Sequence, residues 1–248
     1  VPEKKPFKTL YLLHGILGNY TDWVTGTRIQ ALANDRNLCV VMPSGDNKFY
    51  CDSALSGDKY GSFIAKDLVE FIQDTFPVSK AREDTIIGGL SMGGFGSIVN
   101  ALRNPDTFGY VCALSSALIK EGILHSVNEP GRDFFTRRQY ETIFGVEKVE
   151  DYAGSENDYE ALADGLKDAP NKPKIYMACG TEDGLFPANV AFRDKLIADG
   201  FDVTWEEGPG AHNWAFWDAY IEKALNWLPL SDAVKGVSSE NVGVTDKK

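Results

Sequence analysis

Ser91 sits in the stretch GLSMGG, between Gly89 and Gly93, directly after the apolar run TIIG and before GFGSIVNALRN. A serine hydroxyl becomes a useful nucleophile only when a neighbouring base takes its proton, and imidazole is the usual base near neutral pH. The glycines belong to that chemistry. A turn sharp enough to expose a serine between a strand and a helix leaves no room for Cβ atoms two residues to either side. At the start of the following helix the serine would also lie at the positive end of the dipole, where a developing oxyanion is favoured.

The chain has 3 His. His14 lies in LLHGILGN, His125 in a polar stretch, and His212 in GPGAHNWAFW. Only His212 follows a strand-like run downstream of the serine, so it is the candidate base. The acid that orients it belongs in the loop after the intervening run KIYMACG. There TEDGLF offers both Glu182 and Asp183, and spacing does not choose between them. A tetrahedral oxyanion would be held by the Met92 amide and by an amide of the loop after the first run, for which Ile16 is the candidate. Gly15 and Gly18 would let that loop approach a substrate, with His14 pinning it. Trp23, Trp214, Phe216 and the aromatic residues of the stretch 116–170 are candidates to line a substrate pocket, while Trp217 is expected in the core. Each residue alone has a plainer reading as a tight turn, an exposed histidine, a solvated carboxylate or a packed ring; their joint order points to acyl transfer through a covalent serine intermediate. That chemistry requires neither metal nor cofactor.

The elements that must position these residues alternate regularly. TLYLLHG, LCVVMPS, TIIGGL, YVCALSS, KIYMACG and FDVTWEE read as strands, most of them apolar on both faces as in a buried parallel sheet. Helix patterns lie between them, including Ile64, Leu68, Ile72 and Phe76 at four-residue spacing and Trp217, Ile221, Leu225 and Leu228 before Pro229. The reading is α/β, a mostly parallel central sheet with helices on both faces, and the candidate residues all follow strand ends, where such sheets gather ligands. Residues 1–230 are expected to form one domain. Residues 116–170 carry no clean strand and read as a helical cap inserted after a strand. They hold many acidic residues and the rings Phe134, Phe135, Tyr140, Phe144, Tyr152 and Tyr159. The polar stretch 231–248 reads as a flexible tail.

Composition narrows the partners. A net charge of −11 disfavours binding to nucleic acid, which requires a basic face. No apolar run is long enough for a membrane span. Cys39, Cys51, Cys112 and Cys179 lack the paired short spacings of a zinc site and read as free thiols. The chain opens VPEKKPFKTL, without an initiator Met or a charged-then-apolar leader. A cytoplasmic location is the expectation, with secretion the alternative if a leader lies upstream. The oligomeric state is left open, a homo-oligomer included.

Together, YLLHGILGNYTDWV, GLSMGGFG, CGTEDGLF and AHNWAFW resemble the esterase D and feruloyl esterase branch of the α/β-hydrolases, and most closely its small bacterial tributyrin and acetyl esterases. The resemblance runs from about Leu10 to Leu228. It implies the α/β-hydrolase fold, with Ser91 as nucleophile, His212 as general base and Asp183, preferred over Glu182 by its place in CGxxD, as the orienting acid. It also implies oxyanion donors at the Ile16 and Met92 amides. The expected activity is that of a serine carboxylesterase on short acetyl or butyryl esters. The alternatives are a feruloyl or acetyl-xylan esterase acting on acylated saccharides, an S-formylglutathione hydrolase-like thioesterase, and a noncatalytic binding module. The branch usually carries an antiparallel pair of strands before the LLHG strand, and this chain begins too late to include it. S-formylglutathione hydrolases typically have a Cys shortly after the His-Gly pair, whereas Ile16, Leu17 and Gly18 follow here.

Overall fold

The computed structural model describes residues 5–231. In chain order, β1 (Lys8–Leu13), α1 (Asp22–Gly26), α2 (Ile29–Asp35), β2 (Leu38–Val41), α3 (Tyr60–Ser62) and α4 (Leu68–Thr75) precede β3 (Thr85–Leu90), α5 (Met92–Arg103) and β4 (Tyr110–Leu114). The helices α6 (Lys120–Leu124), α7 (Arg137–Phe144) and α8 (Tyr159–Leu166) then lead to β5 (Lys174–Gly180), α9 (Phe186–Ala198), β6 (Val203–Gly208) and α10 (Trp214–Trp227). Each of the six runs expected as strands supplies one. They form a single sheet in the order β2-β1-β3-β4-β5-β6, with every pairing parallel.

Period-two alternation divides the strand side chains between two cores. Tyr11 and Leu13 of β1 join a cluster with Phe95, Ile98 and Val99 of α5 and Phe192 and Leu196 of α9. Leu10 and Leu12 face the other way, onto Ile29 and Leu32 of α2 and Trp217, Ile221 and Leu225 of α10. Central β3 is buried at every position, whereas edge strand β6 is mostly half-buried, which suits its mixed sequence VTWEEG. The strand order reverses between β1 and β3, so helices leave to opposite faces there and open a crevice at the carboxyl ends.

One helical row departs from its expected face. A π-helical segment, Phe63–Asp67, lies between α3 and α4. Its wider turn adds a residue and advances the buried stripe from Ile64 to Val69 and Ile72, while Phe76, which follows the end of α4 in extended backbone, is 48% exposed.

Between β4 and β5, α7 is opened by a capping box of Thr136 and Gln139 and closed by Gly145 in the left-handed conformation. Tyr140, Phe144, Tyr152 and Tyr159 of this region are buried, and they meet Phe49, Phe95 and Phe192 edge to face or stack on one another. Phe134 is 63% exposed. All four cysteines are free, three of them buried and Cys39 half-buried. Among the described residues no helix is long and apolar enough to cross a membrane. From residue 232 onward, the stretch read as a tail lies outside the described residues.

Candidate active site

Ser91 occupies the turn between β3 and α5 with φ 55° and ψ −117°, a conformation costly for any residue with a Cβ. The surrounding backbone holds it there. Its amide donates to the Leu114 carbonyl (2.9 Å), and its carbonyl accepts from Phe95 (3.0 Å) and Ala117 (2.9 Å). The flanking glycines are required by close approach: a Cβ on Gly89 would lie 2.5 Å from the Gly93 carbonyl, and one on Gly93 would lie 2.7 Å from the His14 carbonyl oxygen.

His212 and Asp183 complete a hydrogen-bonded chain. Ser91 Oγ lies 3.0 Å from His212 Nε2, and His212 Nδ1 lies 2.8 Å from Asp183 Oδ2. Asp183 follows β5 and is 5% exposed. Burial pushes its carboxyl up, but hydrogen bonds from His212, the Leu185 amide (2.9 Å) and Ser115 outweigh that and hold it below the ordinary carboxylate range. An ionised carboxylate only accepts, so the proton of a neutral His212 resides on Nδ1 and its Nε2 is free to accept from Ser91. Glu182, the alternative that spacing left open, faces elsewhere. Its carboxylate accepts from the Gly210 amide, tying the loop after β5 to the loop that carries His212.

Two groups behind this chain were not identified from the sequence. Ser115 directly follows β4 at φ 45°, its amide donating to the Ala178 carbonyl (2.7 Å). Its hydroxyl accepts from Trp217 Nε1 (3.2 Å) and hydrogen-bonds Asp183. The Trp217 ring also meets the His212 imidazole at 4.9 Å and 89°. Trp217 is therefore buried as expected, yet it braces both the base and the acid's neighbour.

The loop after β1 is held from below. His14 Nε2 accepts from the Gly45 amide (2.9 Å), which leaves Nδ1 to donate to the Gly15 carbonyl (2.6 Å). The Tyr50 hydroxyl donates to the His14 carbonyl (3.0 Å). His14 thus pins this loop, with both ring nitrogens engaged. Ile16 and Met92 both border the cleft in which Ser91 and His212 lie. Met92 is the first residue of α5, so its amide has no acceptor within the helix.

The cleft has two lobes that meet at Ile16, Ser91 and His212. The larger, about 390 Å³, is walled by Phe49, Ile119, Phe134, Phe135 and Tyr140. The smaller, about 240 Å³, is bordered by Leu17, Gly18, Asp22, Trp214 and Trp217. Of Trp23, Trp214 and Phe216, the structure brings only Trp214 to the cleft. Trp23 is 1% exposed and gives its indole N–H to the Leu13 carbonyl (2.9 Å), bracing the base of the loop. Phe216 is buried against Tyr220 in the core beneath α10. The other rings of the larger lobe, Phe134, Phe135 and Tyr140, come from the cap region after β4, where aromatic residues are expected at the substrate, and Phe49, a left-handed residue (φ 52°) in the loop after β2, joins them. Among the described residues, no group of three or more His, Cys, Asp or Glu side chains is arranged to hold a metal ion.

Comparison with known proteins agrees with this architecture. The chain is 40% identical over 227 residues to an acetyl esterase of Caldicellulosiruptor saccharolyticus, covering 91% of this chain and 85% of that protein. Among solved structures it is similar to FphF, a fluorophosphonate-binding serine hydrolase of Staphylococcus aureus, with a TM-score of 0.79 and 32% identity. It is also similar to the S-formylglutathione hydrolase FrmB of the same organism, with a TM-score of 0.77 and 33% identity. Each structural match covers 91% of this chain and 85% of the other. The model of the Esterase family matches residues 1–228, and this chain belongs to that family, a carboxylic ester hydrolase on the α/β-hydrolase fold.

Proposed function

We propose that the protein hydrolyses short-chain acyl esters through an acyl-enzyme on Ser91. The observation that carries this reading is the continuous chain from Asp183 through His212 to a strained Ser91, opening on a cleft with an apolar lobe. Ser91 Oγ attacks the ester carbonyl while its proton passes to His212 Nε2, and Asp183 stabilises the imidazolium that results. The carbonyl oxygen takes up the electron pair and is held by the Ile16 and Met92 amides. Collapse of this intermediate breaks the bond to the alcohol oxygen, which leaves with the proton from His212. Water then adds to the acyl-enzyme with His212 again acting as base, releasing the acid and restoring Ser91.

The larger lobe suits the acyl group, since its walls are mostly apolar and aromatic, with Asp133 its one carboxylate. Acetyl and butyryl esters are the proposed substrates, in keeping with the similarity to an acetyl esterase. A second reading, aromatic acyl groups such as feruloyl, is favoured by the rings of Phe49, Phe134, Phe135 and Tyr140 on that lobe. The test is the initial rate on p-nitrophenyl acetate, butyrate and octanoate beside methyl ferulate, with Ser91→Ala as control. A steep fall with acyl length and weak ferulate turnover is expected. Ferulate turnover rivalling acetate would favour the second reading, and a Ser91→Ala protein retaining more than about a tenth of the activity would overturn the assignment of the nucleophile.

A further inference from the structure

Asp22 is the one carboxylate in the smaller lobe, and the chemistry proposed above makes no use of it. It begins α1, and its side chain is packed so closely to Gly18 that a Cβ there would collide with Asp22 Oδ2. The residue is half-buried, yet among the described residues its carboxylate has neither a cation nor a hydrogen-bond donor as partner. Nearly every other carboxylate at comparable burial on this protein is paired, as Asp84 is with Lys8 (2.8 Å) and Asp218 with Arg28 (2.9 Å). No side chain of the described residues therefore competes for Asp22 with a cation that enters the lobe beside it.

The surroundings say what would satisfy it. Trp214 and Trp217 border the same lobe, their rings 5.1 Å apart and perpendicular, and Trp214 is half-buried with part of its surface open to the cleft. A carboxylate beside indole rings attracts an organic cation through charge and through the ring quadrupole together. The net charge of −11 adds a long-range field of the same sign. Anions are disfavoured by both.

The position of the lobe identifies which half of a substrate it would hold. Trp217 meets the His212 ring and Trp214 lies two residues beyond it, so this lobe runs along the imidazole that must protonate the departing oxygen. The larger lobe extends the opposite way, past Met92 toward the region after β4. We propose that the smaller lobe is a leaving-group subsite for alcohols bearing a positive charge, with Asp22 supplying the counter-charge and Trp214 an aromatic wall. The inference rests on the esterase reading of Ser91 and His212 and adds the chemical class of the alcohol.

The test uses two acetates of the same shape, acetylcholine and 3,3-dimethylbutyl acetate, which differ in a quaternary nitrogen against a quaternary carbon. Rates are measured on the full chain as kcat/KM at low ionic strength. The ammonium also activates its own ester, so the change in the ratio on substitution is the decisive readout. The wild-type ratio is expected to exceed that of Asp22→Asn by about three-fold, the value of one exposed ion pair, since the variant keeps the Trp214 wall, and the excess should shrink in 0.5 M salt, where the Debye length falls to about 4 Å. Asp22→Ala provides a second variant if the amide alters the loop. A ratio that survives both substitutions, or a wild-type preference for the neutral ester, would overturn the subsite. Absence of turnover on both acetates and on p-nitrophenyl acetate would instead overturn the esterase reading itself.

Discussion

Replacing Ser115 with alanine separates the positioning of Asp183 from its presence. The hydroxyl hydrogen-bonds an ionised carboxylate and accepts from Trp217 Nε1, so Ser115→Ala removes one charge-assisted bond and leaves a buried indole N–H without an acceptor. Each loss is worth about 1–3 kcal/mol, and with partial relaxation the two together amount to about 3 kcal/mol. At this chain length that lowers Tm by about 6–12 °C. Alanine keeps the Cβ, so the left-handed strain at φ 45° is unchanged. Ser115→Gly relieves that strain while losing the same hydroxyl, and should recover part of the stability without the activity. The pH dependence identifies the mechanism. Asp183 has a depressed folded pKa, so its ionisation stabilises the fold above the unfolded carboxylate value, and that stability is lost as pH falls through the folded value. Without Ser115 the folded value rises. The deficit of the variant should therefore be largest near neutral pH and shrink in acid, leaving only the part due to Trp217. Denaturant melts at pH 8 and near pH 2, below the ordinary carboxylate range, measure this, and kcat should fall about ten-fold with KM little changed. An equal deficit at both pH values, with kcat intact, would refute any action through Asp183.

Three further outcomes follow from the same geometry. Asp183→Asn should lower kcat by about three to four orders of magnitude by disturbing the His212 tautomer, while Glu182→Gln, which alters only the tie to Gly210, should cost less than about ten-fold. Gly93→Ala drives a Cβ against the Leu13 and His14 carbonyls, so a loss of about 3 kcal/mol or more in melting experiments is expected, with activity falling in step. Phe134 is exposed at the larger lobe, so Phe134→Ala should change stability by less than about 0.5 kcal/mol while raising KM for butyrate several-fold more than for acetate.

Much of this was legible in the sequence because it depends on short-range pattern. Each of the six strands announces itself as an apolar run, and Ser91 and His212 are marked by their place after such runs. The choice between Glu182 and Asp183 was not legible from spacing. Adjacent loop residues differ only in which way the chain turns, and that is set by Asp183 accepting from Leu185 two residues on. The assignments of Trp23 and Phe216 failed where residue type was asked to report direction. In α10 the stripe Trp217, Ile221 and Leu225 already gives the buried face, and Phe216 adjoins it, whereas Trp214 opens the helix one turn earlier, beyond the end of the sheet. Ser115 carries no local signal at all, because its left-handed backbone and its partners are imposed by tertiary neighbours from β5 and α10. The same applies to Phe76, which lies in extended backbone just past the end of α4, a helix end that a four-residue rule does not anticipate.

The two lobes of the cleft share Ile16, Ser91 and His212, and otherwise draw on different stretches of chain. One wall comes from Phe49 and the stretch 117–140, the other from 15–22 with the first turn of α10. Phe134 and Tyr140 on one wall and Trp214 on the other have no ring contact in common, and changes at positions without shared partners combine additively. A library that varies Phe134 and Tyr140 can therefore be crossed with one that varies Asp22 and Trp214, and the best members of each should be combinable without screening every pair.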